Sequence, residues 1–134
     1  MQFVIVYFSY ILYLSRFAFS VRSPVFSRMF SSGMLESTQN VVKIDDFSDD
    51  IVKGMLDYIY TGQTGSLPEN ASELLRIADK YQLLGLKEDC ERVIEKNLTI
   101  ENAAEILALA HIHSANKLKT RVMVFIERYV HPYS

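Results

Sequence analysis

The chain has 134 residues, enough for one domain with a real core, and 49% of them are apolar. Its 14 basic and 16 acidic side chains leave a net charge of -2, which gives no positive field for a phosphate backbone and sets nucleic acid aside as a partner. The one cysteine, Cys90, excludes an internal disulfide framework and fits a reducing compartment.

The first stretch, Phe3 to Leu14, is almost wholly apolar, and Arg16 interrupts it before Phe17 and Phe19. A signal peptide needs a positive start and a small-residue cleavage site; here Gln2 precedes the run and Arg16 lies on its wrong side. A membrane anchor needs a longer run than this. Length and flanks favour a buried strand, rich in Val, Ile, Phe and Tyr over Phe3 to Phe8, followed by a core helix. Ser23-Pro24 starts the next helix, with serine as cap and proline at the first helical position. Val25, Phe26, Met29 and Phe30 give it one apolar face, and Gly33 can end it. Met34-Leu35-Glu36 then sits in a polar setting, where its large apolar side chains have no periodic partners.

Asn40 to Ile44 reads as a short strand. Ser48 opens a helix whose first turn holds Asp49 and Asp50, favoured there by the helix dipole, and Gly62 closes it. Ile51, Val52, Met55, Leu56, Tyr58, Ile59 and Tyr60 make so much of its girth apolar that it belongs at the centre of the core. Gly54 weakens this helix, so a close neighbour is expected to need the space. A loop over 63–69 leads to a helix capped by Asn70 and Glu73, with Ala71, Leu74, Leu75, Ala78 and Tyr81 inward. Leu83-Leu84-Gly85-Leu86 reads as a turn, followed by a helix with Leu86, Cys90, Val93 and Ile94 inward. Thr99 caps the next, carrying Ala103, Ile106, Leu107 and Ala110. Ser114 caps the last, carrying Leu118, Val122, Phe125, Ile126 and Tyr129. Connections this short predict antiparallel helical hairpins.

Little here resembles reaction chemistry. His111 and His113 diverge by about 200° on a helix, and one cysteine adds no ligand cluster, so no metal is expected. Cys90 shares an apolar face with Val93 and Ile94, which suits a buried thiol better than a nucleophile. The glycines form no phosphate cradle, and the aspartate pairs 45–46 and 49–50 fall at turns and helix starts. Two sequons, Asn70-Ala-Ser72 and Asn97-Leu-Thr99, coincide with helix starts and matter only in a secreted chain. No cofactor, no small-molecule substrate and no enzymatic activity are expected.

The segments Ser23-Pro24-Val25-Phe26, Met29-Phe30, Met34-Leu35-Glu36-Ser37 and Tyr58-Ile59-Tyr60-Thr61-Gly62 together resemble a BTB/POZ domain. Leu74 to Tyr81, with Leu86-Lys87 and Cys90, is similar to that family's last helical hairpin. Asn97 to Lys119 is similar to the helical extension that follows it. The likeness is closest to the speckle-type POZ protein group, the BTB-plus-MATH relatives. The resemblance implies an α+β, mostly helical fold: a BTB/POZ helical cluster with a short sheet, then a C-terminal helical pair. Its divisions are an atypical apolar segment over 1–15, the incomplete domain over 16–97, the extension over 98–130 and a tail over 131–134.

The resemblance also implies a substrate adaptor for a RING ubiquitin ligase of the cullin-3 class, feeding proteasomal degradation. The family's hydrophobic-x-Glu cullin motif maps onto Met34 and Glu36, with Leu35 between. Tyr60, Asp79 and Tyr81 are further candidate contacts with the cullin. The alternative is an oligomerisation module that pairs with itself or with full-length BTB relatives and recruits no ligase. The family's Ala-His-Lys before the Ser-Pro helix is replaced by Leu14-Ser15-Arg16. Its dimer-swapped N-terminal helix and MATH domain have no counterpart here; the alternative to a buried strand and helix is that residues 1 to about 15 are a non-native leader. The expected location is the nucleus or cytoplasm, with membrane or secretory routes only if residues 1–19 act as a targeting segment.

Overall fold

A computed structural model describes residues 3–6, 18–31 and 41–133. The elements in order are β1 (Phe3–Val6), α1 (Pro24–Ser31), β2 (Val41–Ile44), α2 (Asp49–Thr61), α3 (Leu67–Lys80), α4 (Leu84–Lys96), α5 (Ala103–Ile112) and α6 (Asn116–Val130). Residues 18–22 form a helical segment just ahead of Ser23. The fold is helical with a small sheet: β1 pairs antiparallel with β2, Phe3 opposite Ile44 and Val6 opposite Val41. A strand therefore forms within Phe3 to Phe8; of the core helix expected after it, the described part is the helical segment over 18–22, where Phe19 is buried.

The core is built around α2, as its broad apolar girth predicts. Ile51, Val52, Met55, Tyr58 and Ile59 are buried, while Tyr60 turns outward. Gly54 explains how α3 approaches so closely: a Cβ there would lie 2.7 Å from Ser66 Oγ and 3.0 Å from Leu74 Cδ2. Gly62 ends α2 with φ 79°, its amide donating to the Tyr58 carbonyl. Arg22 reinforces the same helix end, Nε donating to the Ile59 carbonyl at 2.8 Å.

The α3–α4 and α5–α6 hairpins turn in the same way. Gln82 (φ 53°) and Ser114 (φ 52°) occupy the left-handed region directly after each helix. Leu83 N–H reaches back to the Ala78 carbonyl and Ala115 N–H to the Ala110 carbonyl, both at 2.8 Å. Each returning residue is buried and pins its turn to the core.

Helix starts and one inward residue differ from the sequence reading. α3 starts at Leu67, not Asn70, because Pro68 suits a first helical turn; Asn70 instead kinks the helix at φ -123°, ψ 24°. The turn before α4 is over by Leu84, which puts Gly85 inside the helix. Ser114 does not cap α6; it closes α5, and Ala115 precedes α6. Tyr129 is 62% exposed, because α6 has 15 residues against 10 in antiparallel α5 and outruns it. Thr99 does not cap α5 directly: Asn102 precedes that helix, and Thr99 and Asn102 close the turn leading into it, the Thr99 hydroxyl accepting from the Asn102 amide and Asn102 Oδ1 accepting from the Thr99 amide.

Candidate partner-binding surface

Ser23 joins the first part of the chain to the hairpins. Its hydroxyl accepts from the Phe26 amide at 3.1 Å, the expected cap of α1, and donates to the Tyr81 carbonyl at 2.6 Å. Phe26 lies flat on Tyr81, ring centroids 4.5 Å apart and planes 5° from parallel, and meets Phe19 edge-on at 4.7 Å. This aromatic stack fixes α1 against the end of α3.

Met34, Leu35 and Glu36 follow α1 and lie outside the described residues. Tyr60, on the last turn of α2, is 48% exposed and meets Phe19 edge-on at 6.0 Å. It presents an aromatic surface on a helix end held by Arg22, a residue the sequence reading did not single out. Tyr81 is only 2% exposed and is a core residue. Its stacked ring supports the surface from below, as its place in the Leu74, Ala78 stripe allowed. Burial pushes its hydroxyl pKa up.

Asp79 is engaged within the chain. It accepts a hydrogen bond from Lys87 Nζ at 3.0 Å and another from His113 Nδ1 at 2.9 Å. An ionised carboxylate only accepts, so the proton on this imidazole edge sits at Nδ1. Burial pushes the Asp79 carboxyl up, but the hydrogen bonds from His113 and Lys87 outweigh it and hold it below its ordinary value. The three residues come from α3, α4 and the end of α5, so the cluster ties the second hairpin to the first. Nothing in the sequence announces that Asp79 will meet His113, which is 34 positions away.

Asp79→Asn is expected to lower stability near neutral pH by up to about 1 kcal/mol, a modest loss because the group is a third exposed. Its depressed folded pKa stabilises the fold above the unfolded carboxyl pKa, and that contribution fades as pH falls through the folded value. Urea melts of both proteins should therefore differ at pH 7 and converge in strong acid. A gap that stays constant down to strong acid would contradict the role given to this carboxylate.

Cys90 is fully buried, and burial followed by the charges of Asp89 and Glu91 pushes its thiol up to about 12, so it is no ready nucleophile. Among the described residues, no three His, Cys, Asp or Glu side chains gather as a metal site. No helix among them is long and apolar enough to cross a membrane.

The BTB/POZ domain profile matches residues 4–98, from β1 through the end of the first hairpin. This chain belongs to the BTB/POZ domain family, whose domains are protein–protein interaction modules. The α5–α6 pair follows the matched region.

Proposed function

We propose that this BTB/POZ domain is a non-catalytic adaptor that brings a cullin-3-class scaffold to a ubiquitination substrate, in the manner of the speckle-type POZ protein group. The observation that carries the reading is the clamp of α5–α6 onto the BTB body through Asp79, Lys87 and His113. A helical extension held rigidly beside the last hairpin suits a continuous docking face, since a preorganised surface loses less entropy on binding. In this reading Met34 and Leu35 supply apolar anchors, Glu36 supplies a rim carboxylate, and Tyr60 adds aromatic area. Asp79 and Tyr81 act through the backbone they hold in place. The extension over 98–130 works as one unit with the domain.

Capture by an immobilised cullin N-terminal region tests this. Met34→Asp and Glu36→Lys should each reduce capture at least about tenfold. Equal capture of both variants and wild type would sink the mapped site. The oligomerisation alternative predicts no capture by the cullin, with a mass change in light scattering when a full-length BTB relative is added.

A further inference from the structure

The cleft between α4 and α6 has two unlike halves. In the first, acid from α4 meets base from α6. Arg121 donates to Glu95 at 2.9 Å, the Leu118 amide donates to Glu91 at 3.2 Å, and Lys117 lines the same wall. This matching stops where α4 ends at Lys96. Beyond it the groove is lined by Leu98, Val124, Phe125 and Arg128, with Glu95 and Arg121 at the near edge. Val124 is 42% exposed there. Among the described residues Arg128 makes no ion pair, and Glu95, the groove's own carboxylate, already serves Arg121. The second half is thus an apolar trough with an unmatched cation on its rim.

The geometry points to a docking site for an acidic amphipathic helix of a partner protein, its apolar stripe on Leu98, Val124 and Phe125 and a carboxylate on Arg128. Charge selects this occupant over a second copy of the chain. α6 carries Lys117, Lys119, Arg121 and Arg128 against a lone acid, Glu127, so two α6 faces brought together repel. An incoming carboxylate instead continues the acid–base ladder that α4 leaves unfinished. Apolar contact would supply the affinity, and the arginine the selection of sign. The site is separate from the Met34–Glu36 loop and stands whether or not the cullin reading does.

Fluorescence polarisation with two labelled helical peptides of about four turns tests it. One carries leucines along a single face with glutamates beside them; the other has lysine at every glutamate. The full chain should bind the acidic peptide at least about tenfold more tightly, with the preference shrinking as salt rises. Arg128→Glu should reverse the preference, and Val124→Asp should weaken the acidic peptide at least about tenfold. Both positions are exposed, so circular dichroism should match wild type. Equal binding of the two peptides, binding of neither up to about 1 mM, or an unchanged preference in Arg128→Glu overturns the proposal. Cullin capture by Arg128→Glu should equal wild type; its loss would assign the groove to the cullin and also overturn a second partner.

Discussion

Replacing Ser23 with alanine should lower the unfolding free energy by about 2–4 kcal/mol, far more than one hydroxyl contributes on a surface. Ser23 is the buried polar residue of the described core, at 0% exposure, and its hydroxyl has two roles. It caps α1 through the Phe26 amide, a contact that typically contributes about 1 kcal/mol. It also satisfies the Tyr81 carbonyl at the end of α3, and a buried carbonyl left without a partner costs a further 1–3 kcal/mol, roughly. Alanine removes both contacts and opens no space for water to replace them. Urea denaturation of Ser23→Ala should show a lower midpoint with an unchanged slope. Ser23→Thr retains the hydroxyl and should recover part of the loss. A midpoint like that of wild type would show that the bridge between α1 and α3 contributes nothing to stability.

Gly85→Ala should also destabilise, against the usual rule for helices. Alanine in a helix interior is ordinarily favoured over glycine by about 1 kcal/mol. Here an added Cβ would collide with Tyr58 Oη and lie 3.4 Å from its Cζ. Tyr58 is 8% exposed and sits in the central helix, so its ring cannot swing freely into solvent. Overpacking of this kind costs about 1–3 kcal/mol, which outweighs the propensity gain near the start of α4. Removing the hydroxyl removes the closest contact, so Tyr58→Phe combined with Gly85→Ala should be more stable than Gly85→Ala alone. Thermal melts of the two singles and the double give the coupling. Additive effects would show that the two positions do not collide.

The helices were legible because each carries its own periodic stripe. The inward residues named for α3 are all buried, and Gly54 announced a close neighbour that turned out to be Ser66 and Leu74. Local rules failed where a residue serves two elements. Gly85 read as a turn residue, yet its small size is needed by Tyr58 on another helix. Ser114 read as a helix start, yet it ends the helix before, because left-handed backbone is a property of the hairpin and not of the serine. Tyr129 continued a stripe that α6 carries past the end of its support. Of the surface, Tyr60 was recognisable as an aromatic at a helix end. The Asp79, Lys87 and His113 cluster was not, because each comes from a different element and no spacing rule links them.

The Ser23–Tyr81 bridge has a consequence for how the chain is made. It spans 58 positions, so the N-terminal layer leaves the ribosome well before the residues that receive it. At typical synthesis rates of about 5–20 residues per second, that interval is roughly 3–12 s. Phe26 spends it without the Tyr81 ring that later stacks on it, while the hairpins, built from neighbouring segments, close as soon as they emerge. The segment around Ser23 and Phe26 is thus exposed to chaperones and to aggregation while the chain is still growing.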